Sequence, residues 1–201
     1  MNVSFYNNIK SVRPKTVNLF KVLEDIQNGA YKESIKNVRL LINDKPLKDL
    51  EKKKLPLIGF SGTFSSRGNS NLLQSSGIAA LDFDGVNDLE TLVESVNKDK
   101  FTFSSFISPS GNGLKVLVKI PLVPTDADYK SFYSELQKHY DQYEKTDDST
   151  KDISRASFVS YDPNLYLDLD SEMFTDRFIP KIIVPTNVNV KLDDMEEVAQ
   201  K

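Results

Sequence analysis

The stretch Gly77–Gly85, GIAALDFDG, constrains this chain more than any other. Ile78, Ala79, Ala80 and Leu81 form a short apolar run with the length of a buried strand. Side chains on a strand alternate faces, so Asp82 and Asp84 point one way and Phe83 the other. Two neighbouring carboxylates repel, and removing them from water unpaired is costly. A divalent cation between them relieves both penalties. Hard cations such as Mg²⁺ bind through one or two carboxylates together with substrate phosphates. Gly85 lets the chain turn away sharply. Taken alone, the pair reads as a strand ending in a solvated acidic turn. Two motifs downstream change that reading.

A chain of 201 residues is long enough for one domain with a real core. It has no cysteine, which excludes disulfides and thiolate metal sites and fits a reducing cytoplasmic setting. No apolar stretch approaches a membrane span, and MNVSFYNNIKSVRPK lacks the apolar core of a secretory signal. The net charge is −3, so overall basicity does not announce a nucleic-acid partner. The charge is unevenly spread: residues 1–56 carry 12 Lys+Arg against 6 Asp+Glu. A basic N-terminal third can touch a phosphate backbone, although the charge alone favours a solvated face.

In chain order, residues 1–15 read as a strand or arm, and Thr16–Asn28 as a helix stopped at Gly29. A short helix is expected over Lys32–Leu41. The charged run Asp44–Lys54, cut by Pro46 and followed by Pro56, reads as a solvent loop. A strand broken by glycines covers Leu57–Phe64, then a polar loop holds Arg67, a candidate template or triphosphate contact. Leu89–Lys98 and Thr125–Tyr143 are expected helices, the second opened by a capping-box variant, Thr125 with Asp128. On that helix His139, the only histidine, belongs to the packed face. Phe101–Ile107, Leu114–Ile120 and Ala156–Tyr161 are expected strands, with an edge strand over Phe178–Val184 and an acidic linker from Pro185. The domain is expected to span residues 1–178, with 179–201 an edge segment and tail.

Two further motifs join the acidic pair. Ser108-Pro109-Ser110-Gly111-Asn112-Gly113 leads into a strand carrying Lys115. A glycine-rich hairpin can gather backbone N–H groups into an anion nest, to which Ser108 and Ser110 add hydroxyls and Lys115 a cation. A plain β-turn is the alternative. Asp147 and Asp148 precede Arg155. A third carboxylate completes a two-metal site for phosphoryl chemistry, while an acidic loop with a surface ion pair is the bland reading. Carboxylates, an anion nest and an arginine are together the parts that nucleotidyl transfer requires.

LDFDG, SPSGNGLK and TDDSTKDISRASFVSYDP, with FSGTF before them, resemble in order the motifs of the archaeo-eukaryotic primase (primase-polymerase) superfamily. The resemblance is to the bacterial and phage branch labelled VirE N-terminal domain, and covers roughly residues 55–165. It implies an α+β fold, an antiparallel RRM-like sheet flanked by helices. It implies a DNA primase or polymerase of phage, plasmid or bacterial replication, acting on single-stranded DNA with NTPs or dNTPs, beside a helicase domain or protein. Asp82, Asp84 and Asp147, with Asp148 as alternative, would hold Mg²⁺ or Mn²⁺. Ser108, Ser110, Gly111, Gly113, Lys115 and Arg155 would bind the nucleotide. Many relatives carry histidine where this chain has Lys115. That difference favours one rival, a non-catalytic nucleic-acid-binding module. A second rival, a haloacid-dehalogenase-type phosphatase, rests on LDFDGV as an opening motif with Asp82 as nucleophile.

Overall fold

The computed structural model describes residues 1–147 and 150–179. The chain opens with β1 (Asn2–Tyr6) and β2 (Lys15–Asn18), paired antiparallel with Val3 opposite Val17. The Asn18 side chain then caps α1 (Leu19–Asn28) by accepting from Phe20 N, and Gly29, at φ +86°, closes it. After α2 (Lys32–Leu40) comes α3 (Lys45–Lys52), in the segment expected to be a loop. Asp44 caps α3, and Pro46 sits in its first turn, where a missing N–H costs nothing. The charge of α3 misled because the helix buries none of its side chains.

β3 (Leu57–Gly59) and β4 (Gly62–Phe64) come next as expected, but the polar loop after them contains β5 (Leu72–Ser75), which pairs with β4. Then come β6 (Ile78–Phe83), α4 (Leu89–Asn97), β7 (Thr102–Ile107) and β8 (Leu114–Lys119). The chain continues through α5 (Asp126–Tyr140) to two short strands, β9 (Ser157–Phe158) and β10 (Tyr166–Leu167). β9 stops well short of Tyr161 because the chain there leaves the ladder. Ser160 Oγ donates to Ile107 O, and Tyr161 O accepts from the Arg39 guanidinium. Phe178 and Ile179 form no strand; Phe178 N donates to Ser131 O of α5. The remainder of that expected edge strand and the linker lie outside the described residues.

The fold is thus α+β with antiparallel sheets. One sheet runs β2-β1-β3-β9, and the other β10-β7-β8-β6. The second sheet is apolar on both faces. Ala79, Leu81, Phe83, Leu114, Val116 and Val118 pack against α4 and α5. Ile78, Leu117, Phe103 and Phe106 face the other way, toward α1, α2 and the first sheet. Each fully buried Leu, Ile or Phe contributes about 2 kcal/mol, so this shared sheet is the main source of cohesion. No helix among the described residues is long and apolar enough to cross a membrane.

Candidate functional site

The alternation that buries Phe83 turns Asp82 and Asp84 toward the opposite side of β6. In the β6–β8 register Asp82 stands opposite Lys115. Lys115 Nζ lies 2.7 Å from Asp82 Oδ1, with the two side chains only 8% and 14% exposed. A lysine this enclosed needs such a partner, since an uncompensated buried charge is costly.

The acidic turn after α5 hangs on the end of β6: Asp147 N donates to Asp82 O at 2.8 Å. Thr150 fastens the turn, its hydroxyl donating to Asp147 O at 2.8 Å and hydrogen-bonding the Tyr133 hydroxyl. Burial pushes the Tyr133 phenol far above its ordinary value, and Asp82 and Asp147 nearby push the same way. Further along, Asp126 of α5 accepts from Ile153 N, and Lys130 bridges Asp126 and Asp152 at 2.6 and 2.7 Å. Helix α5 therefore holds both ends of the loop that carries Asp147 and Arg155.

The Ser108–Gly113 segment is a hairpin between β7 and β8. Ser108 N donates to Gly113 O at 2.8 Å and Gly111 N to Ser108 O at 3.0 Å. Those two N–H groups serve the turn itself. A Cβ on Gly113 would collide with Phe83 O and fall 3.2 Å from Ser108 Oγ and 3.3 Å from Asp84 Oδ1. Only glycine lets the hairpin come this close to the acidic strand. Gly111, at φ +80°, rests against the stem of Arg39. Arg39 donates to Ser108 O and Tyr161 O at 3.1 and 2.9 Å, bracing the hairpin from behind. Burial pulls its guanidinium below the ordinary arginine value, and Asp162 and Tyr161 act against that.

The three motifs meet in a single cleft of about 140 Å³. Asp82, Asp84, Asp147, Ser108, Ser110, Lys115 and Arg155 all line it. Gly111 and Gly113 support it without lining it, and Asp148 lies outside the described residues. Arg67 stands apart, in an adjoining hollow of about 340 Å³ that shares Arg155, Ala156 and Phe158 with the cleft. There its guanidinium stacks on Tyr6, 4.6 Å from the ring centroid. Lys52 and Phe158 also line the cleft, and neither was singled out from the sequence. Lys45, Lys48 and Lys52 recur at helical spacing, the one signal that could have revealed a basic face near the site.

His139, as expected, belongs to the packing. It stacks edge-on to Phe101 and Tyr140, with Nε2 at 2.6 Å from Asp99 Oδ2.

Among the described residues no three carboxylate or histidine groups are arranged to cage a metal ion by themselves. The donor chemistry nevertheless fits a hard cation that arrives with a phosphate, because Mg²⁺ takes one or two carboxylates and completes its shell elsewhere. Ser108, which lines the cleft, has a buried Oγ with no hydrogen-bond partner among the described residues, a polar group that a ligand of the cleft would satisfy.

The sequence pattern of the family described as BT4734-like, N-terminal domain matches residues 50–167, more than half of the chain. This corrects the resemblance drawn from the motifs. The matched family is a different one from the VirE N-terminal branch of the primase-polymerase superfamily. Short acidic and glycine-rich motifs recur wherever carboxylates and phosphates meet, so their order alone did not identify the family. No curated protein and no solved structure matches the chain.

Proposed function

The chain belongs to the BT4734-like, N-terminal domain family, and from that premise we propose that it catalyses metal-dependent nucleotidyl transfer. The reaction would be that of a DNA primase or polymerase, joining an NTP or dNTP to a strand on a single-stranded DNA template. The family's description names no activity, so the site carries the reading. The single supporting observation is the convergence of three carboxylates, three cations and an unpartnered serine hydroxyl in one cleft. The four-stranded antiparallel sheet with α4 and α5 on one face supports an RRM-like catalytic platform.

In this reading Asp82 and Asp84, with Asp147 beside them, would hold Mg²⁺ or Mn²⁺ together with the nucleotide's phosphates, and the ion would supply charge neutralisation and a lowered pKa for the attacking hydroxyl. Lys115 orients Asp82 and sets a positive charge beside it. Ser108 Oγ offers a hydrogen bond to a phosphate oxygen, and Ser110 and Arg155 extend the polar wall. A cleft of about 140 Å³ suits the phosphates alone. The sugar and base would occupy the adjoining hollow over Phe158 and Arg155. A helicase partner would supply the single-stranded template.

One observation favours a second reading, a module that binds nucleotides or DNA without catalysis: Lys115 already engages Asp82 at 2.7 Å. The phosphatase reading has less support. Its chemistry sits at the carboxyl ends of parallel strands, whereas every strand pairing among the described residues is antiparallel.

Primer synthesis on single-stranded DNA, with labelled NTPs or dNTPs in Mg²⁺ or Mn²⁺, tests the proposal. The wild type is expected to make product, and Asp82→Ala/Asp84→Ala to lose it by at least about a hundredfold. Absence of wild-type product under every condition, with DNA still bound, would establish the non-catalytic module instead.

A further inference from the structure

Three cations line the cleft, and two are committed. Lys115 pairs with Asp82, and Arg155 has an interaction of its own. The Lys52 ammonium makes neither an ion pair nor a hydrogen bond among the described residues. Its ammonium lies over the Phe158 ring, 5.9 Å from the centroid, a contact with the neutral wall of the cleft. The helix that presents it is unusual. α3 buries no side chain, and Leu47 and Leu50 remain 41% and 56% exposed. The helix adds no residue to either core cluster and packs chiefly against α2, so its side chains are left for other contacts. Its contacts with the site are Lys52 and Lys48, whose Nζ reaches Ser110 O at 3.4 Å on the same hairpin that lines the cleft.

From this placement we propose that Lys52 is a substrate-binding residue that grips the polyphosphate tail of the nucleotide. The inference rests on the nucleotidyl-transfer reading and adds a recognition element to it. The chemistry favours a tail over a single phosphate. Three carboxylates in the cleft repel a phosphate, and each further phosphate group adds negative charge that must be met by a cation. An ammonium on a flexible four-carbon stem, with three donors, meets such a charge without a fixed geometry. Lys52 thus makes the cleft prefer triphosphates to monophosphates.

The test uses inorganic tripolyphosphate, inorganic phosphate and a dNTP as probes, each with Mg²⁺, in calorimetric titrations of the full chain. Lys52→Ala should weaken tripolyphosphate and dNTP binding about tenfold, the loss of one charge-assisted hydrogen bond, and leave phosphate binding nearly unchanged. Lys52→Arg should restore most of the loss, since the charge is kept. Lys53→Ala, on the exposed end of the same helix, should behave as wild type. In turnover the Lys52→Ala substitution should raise KM for the nucleotide and spare kcat. Unchanged thermal melting of Lys52→Ala would show that the protein remains folded. Equal tripolyphosphate affinity in wild type and Lys52→Ala would overturn the inference and leave the nucleotide reading standing. A wild type that binds neither tripolyphosphate nor dNTP would overturn both.

Discussion

Asp82 and Lys115 face each other across adjacent strands, and their pairing couples the stability of the sheet to the chemistry of the cleft. Removing one charge strands the other in a largely enclosed place. Lys115→Met should therefore destabilise the protein by about 3 kcal/mol, measured by urea unfolding. Adding Asp82→Asn should recover most of that, because a buried ion pair replaced as a whole costs little. Gly113 is constrained differently. A methyl there would meet Phe83 O and crowd Ser108 and Asp84, so Gly113→Ala should cost about 1–3 kcal/mol and weaken nucleotide binding together with stability. The alternation Asp82-Phe83-Asp84 was legible because the strand period is a local property of the sequence. Arg39 was not legible. It braces a hairpin 69 residues away, and nothing near it in the chain announces a partner at that distance.

Elements were readable where their termini carry chemistry. Thr125 Oγ1 accepts from Asp128 N at 3.2 Å, the N-cap half of the expected pattern, while Asp128 Oδ2 accepts from the Thr125 hydroxyl at 2.6 Å. Asp88 caps α4 in the same manner through Thr91 N. Helix α3 was missed because a charged run containing proline looks like a loop when no apolar stripe needs burying. Strand β10 was missed because two residues carry no periodicity. The loop carrying Asp147 and Arg155 depends on α5 through Asp126 and Lys130. Asp126→Ala removes the acceptor for Ile153 N and one anchor of Lys130. It should lower turnover more than stability, because the loss falls on the loop that presents the third carboxylate. Parallel measurement of kcat and the urea midpoint checks this; equal proportional loss of both would count against the role given to α5.

At the scale of the whole molecule, one sheet serves two apolar clusters, one on each face. Neither cluster can open without exposing the sheet, so unfolding should be a single transition. Far-UV circular dichroism and tyrosine fluorescence should report the same midpoint. The alkaline limit has its origin in the same packing. Burial pushes the phenols of Tyr129, Tyr133 and Tyr140 well above their ordinary value. Tyr143 is pushed up to about 12, by burial first and then by its hydrogen bond to the Asp99 carboxylate. A folded-state pKa raised above the unfolded value favours the protonated, folded form. That stabilisation is complete below about pH 10 and is lost as pH climbs through the folded-state values. Ionisation of these tyrosines at 295 nm should therefore coincide with unfolding above pH 10, and not precede it. The assembly of the cleft was only partly legible from sequence. Its three motifs are separated along the chain, and their meeting depends on the β6–β8 register and on one backbone bond, Asp147 N to Asp82 O.

The central claim is that the carboxylates of this cleft hold a divalent cation together with a nucleotide. It is tested most directly by the electron paramagnetic resonance signal of Mn²⁺ titrated with the protein in the presence of a dNTP. Wild type should deplete the unbound Mn²⁺ signal, and Asp82→Asn/Asp84→Asn, still folded by circular dichroism, should not. Mn²⁺ left unbound by wild type at saturating dNTP, or bound equally by the double variant, would contradict the account.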